Sequence, residues 1–243
     1  MAKTITIWNN KGGVFKSSIC HNLAYLSAMD GLRVLLVDLD QQASLTLLCN
    51  QNPGEASYTT YDFFTDNTTP FKPIKIYKNL DLLPADIQLS LLERFLMKFK
   101  QPAVVLREKL KCIDWLYDLI IIDNAPALTN AVINSVRASE YVIVPCETAF
   151  LSFKSLEIVE DTLDRLGHKI DGIIATRHTR TNDAKNVLDL LKKKYKVFGT
   201  VSNTTLAREC LYMCMPMVLF MPNHKVTKEY EEIYKKIKKE FFL

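Results

Sequence analysis

The chain has 243 residues, 48% hydrophobic and 24% charged, with a formal net charge of +4; it is long enough to bury one large core and fits a single domain over residues 1–243 better than two. No apolar run approaches the ~18 residues of a membrane span, and the opening residues read as a strand rather than a signal peptide. The six cysteines (Cys20, Cys49, Cys112, Cys146, Cys210 and Cys214) are scattered and the four histidines offer no complementary spacing, so reduced thiols in a cytoplasmic protein are expected rather than a disulfide framework or a metal centre.

The first predicted element is a β-branched strand at residues 4–8, which empties into Lys11, Gly12, Gly13, Val14, Phe15, Lys16, Ser17 and Ser18, with a helix starting near Lys16. A loop in this position points backbone N–H groups at an anion, and the helix dipole favours negative charge there. Lys16 can reach the β- and γ-phosphates of a nucleotide, and Ser17 can ligate Mg²⁺. Against the pattern G-x-x-x-x-G-K-[ST], Asn10 and Phe15 stand at the glycine positions. The loop is therefore read together with the acidic strand ends further along the chain.

A second strand, residues 33–38, lies in the run RVLLVDLD, which is apolar on both faces, as a buried parallel strand requires, and ends in Asp38 and Asp40 on one face at the carboxyl end, where open α/β sheets place their ligands. The polar, proline-punctuated stretch 51–78 is the least regular part, with one short helix expected around Tyr58 to Phe64. Strands follow at 80–84 and 119–123, the latter ending in Asp123, an acid placed to hold the water shell of a nucleotide-bound Mg²⁺. Further strands are predicted at 140–144, 170–176, 197–201 and 217–220, with helices between them. This alternation predicts an α/β fold: a twisted, parallel-rich sheet with helices on both faces.

These blocks resemble the ParA/MinD family of deviant Walker-A ATPases, whose hallmark is KGGxGK[ST]. GLRVLLVDLDQQASLT, NLDLLPAD, YDLIIIDNAP and LARECLYMCMPMVLF follow in the family's order, and the resemblance covers nearly the whole chain. It implies ATP and Mg²⁺ as ligands, with Lys16 on the β- and γ-phosphates, Ser17 on the metal and Ser18 on the α-phosphate. Lys11 would be the extra lysine that reaches across an ATP-bound homodimer to the partner's nucleotide. Asp40 would position the attacking water, and Asp38 and Asp123 would hold the metal region. The implied cycle is that of a small ParA-type protein without a separate DNA-binding domain. Its ATP-bound dimer would bind nonspecific DNA on the nucleoid, and a ParB-like adaptor would stimulate slow hydrolysis, so that a plasmid, chromosome region or protein assembly is positioned.

The departures from the family bear on the same residues. Phe15 replaces a glycine. If that position needs positive φ, the strain costs ~1 to 3 kcal/mol; alternatively the ring turns away and packs on a neighbouring element. Gln41 and Ala125 replace prolines after the two acidic strands. Arg177 and Arg180 lie where the family carries a DNA-contacting arginine, while Ser202 and Thr205 stand where further arginines are usual. Lysines at 192–194 and 196, and Lys225, Lys228, Lys235, Lys236, Lys238 and Lys239, form either a DNA-binding face or solvated helix surfaces. In the last helix Tyr230, Ile233, Tyr234, Ile237 and Phe241 fall on one face. That stripe either packs on the sheet or, as in MinD-like relatives, anchors a spatial regulator on a membrane surface; the altered loop leaves a weakly hydrolysing nucleotide-binding scaffold as the other alternative to a DNA-bound positioning ATPase.

Overall fold

The computed structural model describes residues 2–204 and 206–243. The chain runs β1 (Lys3–Ile7), α1 (Lys16–Met29), β2 (Val34–Leu39), α2 (Ser44–Leu48), α3 (Thr60–Thr65), β3 (Ile74–Tyr77), β4 (Leu80–Leu83), α4 (Leu92–Leu96), α5 (Val105–Lys111), β5 (Leu119–Asn124), α6 (Asn130–Ala138), β6 (Tyr141–Glu147), α7 (Phe150–Arg165), β7 (Gly172–His178), α8 (Asn182–Lys194), β8 (Val197–Ser202), α9 (Leu206–Met213), α10 (Met217–Phe220) and α11 (Lys225–Phe241). The strands form one eight-stranded sheet in the order β3-β4-β2-β5-β1-β6-β7-β8. Every pairing is parallel except β3 with β4. This is the α/β architecture expected.

Strand periodicity divides the core between the two faces. Val34, Leu36, Leu119 and Ile121 point to one face, where α1, α10 and α11 pack. Leu35, Val37, Ile120 and Ile122 point to the other, under α3 and α5, and beside them Val142, Val144 and Ile173 meet α6, α7 and α8. The chain winds outward from β1 in both directions, so the crevice at its carboxyl end is a topological switch point, where such sheets bind ligands. In register across β2 and β5, Asp38 faces Asp123, and both acids end their strands at that crevice.

Two expectations need correction. Residues 217–220 form a helix, α10, and not a strand. A four-residue apolar run does not distinguish the two by pattern; here the Asn22 side chain accepts from Val218 N–H at 3.1 Å, and Thr227 Oγ1 donates to the Met221 carbonyl at 2.6 Å, closing the turn. Conversely β3, inside the stretch read as irregular, is a four-residue antiparallel edge strand with a register break between Lys75 and Tyr77. The short helix nearby is α3, its amino end closed by a Thr59–Asp62 capping box. Thr205 lies outside the described residues.

The last helix packs on the sheet. Tyr230, Ile233, Tyr234, Ile237 and Phe241 are all buried, Phe241 stacks on Tyr141 with ring centroids 3.8 Å apart, and a Cβ on Gly199 of β8 would stand 2.5 Å from Ile233. A face covered this way is not available to a bilayer, and among the described residues no helix is long and apolar enough to cross a membrane. Since Ile233 is fully buried, Ile233→Ala is expected to cost about 2–5 kcal/mol, read as a lower urea midpoint. Lys236→Ala, on the exposed face of the same helix, should stay within about 0.5 kcal/mol of wild type.

Candidate nucleotide-binding site

The loop after β1 is held from below. Asn9, buried, donates through Nδ2 to the Pro145 carbonyl at 2.6 Å and accepts from Lys11 N–H at 2.9 Å, tying the loop entry to β6. Gly13 (φ 74°) and Phe15 (φ 68°, ψ 24°) then take left-handed conformations. Phe15 serves as the N-cap of α1 with no side-chain hydrogen bond to the first turn, leaving amides at a helix amino end to face an anion. Both alternatives for Phe15 hold together: the backbone is left-handed, and the ring packs on the core beside α1 with the Arg177 guanidinium 5.2 Å from its centroid.

A cavity of about 1060 Å³ opens above this loop, lined by Gly12, Gly13, Phe15, Lys16, Ser17, Ser18 and Asp40, and by Leu89, Glu93 and Tyr212 from the surrounding segments. Val14 is buried and lies outside the lining. Lys16 is 8% exposed, and its ammonium donates to the Lys11 carbonyl at 3.2 Å. Burial lowers its pKa, and the charges of Asp123 and Asp40 oppose that. Such an ammonium is poised for an anion that makes good its lost hydration.

The two strand-end acids differ. Asp38 Oδ1 accepts from Asp40 N–H at 3.1 Å, and Oδ2 accepts from Thr46 N–H at 2.9 Å and Thr46 Oγ1 at 2.8 Å. Its carboxylate organises the loop into α2. Burial is the main force raising its pKa. Asp123 is 1% exposed, and neither of its oxygens makes a hydrogen bond. Burial first, then the Asp38 charge, push its pKa up; Ser17 and Lys16 pull it back without closing a hydrogen bond in the first case. A buried, unanswered carboxylate beside Ser17 fits a hydrated Mg²⁺ delivered with phosphate oxygens. Among the described residues no cluster of three or more His, Cys, Asp or Glu side chains is arranged to hold a metal by itself, so Ser17, Asp123 and the nucleotide would have to share the ion. Asp40 lines the cavity, its Oδ1 accepting from Gln42 N–H at 2.9 Å, and Ala43 N–H returns to the Asp40 carbonyl at 2.8 Å. Hydrogen bonds thus stiffen the turn where the family's proline is missing.

Lys11 is drawn to the side of the loop. Its ammonium pairs with Glu147 Oε2 and donates to Ser152 Oγ at 3.0 Å. Glu147 Oε1 takes Arg177 Nε at 3.1 Å, and Arg177 Nη2 donates to the Gly13 carbonyl at 3.0 Å. Arg177, expected among DNA contacts, is therefore turned onto the phosphate loop, whereas Arg180 is exposed and away from the cavity lining. Of the C-terminal lysines, Lys235, Lys236 and Lys239 are exposed, and Lys238 pairs with Asp30. Sequence reasoning did not single out Glu147 or Ser152. Glu147 carried the signal that marked Asp38 and Asp123, an acid closing an apolar strand, YVIVPCE.

Residues 2–176 match a family model described as an AAA domain. The chain is 32% identical to the sporulation initiation inhibitor protein Soj of Bacillus subtilis over 98% of each chain. Its structure is similar to that of a plasmid partition protein of Borrelia burgdorferi bound to AMPPNP, with a TM-score of 0.88, 28% identity, and coverage of 99% of this chain and 100% of that one. The septum site-determining protein MinD of Pyrococcus horikoshii, complexed with Mg-ADP, shares the fold at a TM-score of 0.82, with 21% identity and coverage of 98% and 97%.

Because ionised Asp123 is buried without a hydrogen bond to either oxygen, Asp123→Asn is expected to stabilise the nucleotide-free protein at pH 9 by ~1–3 kcal/mol. The sign follows from the raised pKa. The folded state retains its proton at pH values where the unfolded chain has lost it, so the native residue contributes stability at lower pH that disappears as pH rises through the folded pKa. The gain from asparagine should therefore shrink toward pH 5, as read from urea midpoints at the two pH values.

Proposed function

The chain belongs to the ParA/MinD family of deviant Walker-A ATPases, and on that premise we propose that it is a ParA-type positioning ATPase whose ATP-bound homodimer holds nonspecific DNA until an adaptor triggers hydrolysis. One P-loop domain spanning residues 1–243 carries the whole cycle in this reading. The observation that supports it best is the position of Lys11, parked on Glu147 and Ser152 beside a nucleotide-sized cavity. A loop lysine with a resting carboxylate has somewhere to leave from, and a second subunit's phosphates give it somewhere to go.

The face at the carboxyl ends of the strands supports the same reading, and two of its exposed apolar side chains, Leu47 and Tyr212, line the cavity. Leu47, Ile87, Leu91, Leu128, Phe150, Leu151 and Tyr212 are all more than half exposed, and each lies on a segment that leaves the carboxyl end of a strand. Apolar side chains gathered around a binding cleft are expected where another protein surface closes over it. A second copy of the chain, related by a two-fold axis, would cover both clefts at once.

Within the closed site, Lys16 would neutralise the β- and γ-phosphates and Ser17 would hold the metal region with Asp123, while Ser18 would meet the α-phosphate. Mg²⁺, when bound, supplies charge neutralisation across the phosphate oxygens. Asp40, on the cavity wall, would orient the attacking water. Lys11 of one subunit would stabilise charge developing on the other subunit's nucleotide, making hydrolysis depend on dimerisation. Slow turnover belongs to this reading, with a side chain at the left-handed Phe15 position where the family's loop has glycine.

DNA would be held on the nucleoid through Arg180, Lys235, Lys236 and Lys239, with no base reading. The cargo and the ParB-like adaptor are set by surfaces outside the nucleotide cavity. A membrane role of the MinD kind finds no support in α11, whose apolar stripe is buried.

DNA retention should require ATP and Mg²⁺ and weaken steeply with salt. Lys16→Ala should abolish it, and Asp40→Ala should trap the protein on DNA by blocking hydrolysis; retention by Lys16→Ala equal to wild type would remove the switch. Removing Lys235, Lys236 and Lys239 together should flatten the slope of log affinity against log salt by roughly 2–3, about 0.9 for each phosphate no longer neutralised, while leaving ATP affinity unchanged.

A further inference from the structure

We propose that Arg177 and Phe15 form a clamp that shapes the phosphate loop, making Arg177 a positioning residue that acts on the nucleotide through Phe15. The proposal rests on the nucleotide-binding reading of the cavity. Its starting point is local: Phe15 occupies a left-handed position (φ 68°) that a residue with a Cβ disfavours. Arg177 is left-handed as well (φ 49°), inside β7, where the register with β8 breaks between Ala175 and His178. Two non-glycine residues in this region, facing each other across one contact, persist only where their surroundings over-determine them.

What determines them is the guanidinium. It lies over one face of the Phe15 ring, 5.2 Å from the centroid, while the ring packs against the apolar core beside α1. The ring is thereby sandwiched between core and cation. From the same position Arg177 Nη2 donates to the Gly13 carbonyl at 3.0 Å, and Nε meets Glu147 Oε1 at 3.1 Å. Holding the Gly13 carbonyl fixes the peptide plane, and so turns the Val14 N–H of the same planar unit the opposite way. A ring at residue 15 therefore gives the cation a platform, and the cation orients the loop amides. Glycine at that position would need no such support, and lysine in place of Arg177 could not supply a fork and a stacking face together.

The test is a double-mutant cycle on Phe15→Gly and Arg177→Ala, with Arg177→Lys as a milder third variant. It reads the affinity for a fluorescent ATP analogue with Mg²⁺, and the urea midpoint without nucleotide. Arg177→Ala is expected to weaken the analogue by about tenfold in the native background and by about threefold or less beside Phe15→Gly. Arg177→Lys should lose nearly as much as Arg177→Ala, and the urea midpoints should show the same non-additivity. Equal losses in both backgrounds, or no loss in either, would overturn the clamp. If the midpoints couple but the wild-type protein binds no analogue, the contact stands while the nucleotide reading, and with it the positioning role, is overturned.

Discussion

A buried carboxylate, Asp123, set between a buried ammonium and a second buried carboxylate is the constraint around which the molecule is built. Each of these charges alone carries a desolvation cost of several kcal/mol, and the register of β2 against β5 sets the two acids side by side, one strand spacing apart. Asp38 is answered by three donors, Lys16 by a carbonyl and by the field of its neighbours, and Asp123 by no hydrogen bond at all. The imbalance has a direction. It asks for a polyanion at the lysine and a cation at the free carboxylate, which a magnesium–nucleotide complex supplies together. Parallel strands that stop at the same level, with a helix starting directly after the first, are what bring the three groups within reach.

Much of this was legible because it is written in short-range patterns. Apolar runs closed by acids marked β2 and β5 and located their carboxyl ends, and the strand–glycine–lysine–serine order located the start of α1. The alternation of elements was enough for a parallel-rich sheet. Misreadings fell where the deciding contact is distant in the chain. Met217 to Phe220 turns into a helix because Asn22, nearly two hundred residues earlier, takes the Val218 amide. β3 exists because β4 offers it an edge. In the site, the resting partner of Lys11 comes from the end of β6, and Asp38 is occupied by Thr46 of α2; the acid closing β6 is visible in the sequence, but which lysine it holds is not. Phe15 illustrates a different limit. From the sequence, strain and a displaced ring are alternatives, whereas in three dimensions one is compensated by the other.

The basic surface follows a simpler rule. In α11 the apolar positions are used up by the sheet, so its lysines are left facing water by default, and Lys238 is taken by Asp30. Charge on such a helix does two things: it keeps the outer face solvated, and it leaves a field that a polyanion can use without any dedicated pocket. Arg177 obeys the opposite logic. A guanidinium placed among an aromatic ring, a carbonyl and a carboxylate is a structural tie even where, as here, its side chain stays 47% exposed.

The margins of the sheet constrain how copies of the chain can meet. β3 is four residues long, runs against its neighbour and carries a break in its pairing, while β8 pairs irregularly with β7 and lies under α11. Neither margin presents a long, flat row of unpaired amides and carbonyls, the template from which strands of separate molecules zip together. Lateral growth into a continuous sheet is thereby discouraged at both sides, which leaves the tips of the strands as the face at which the proposed homodimer would close.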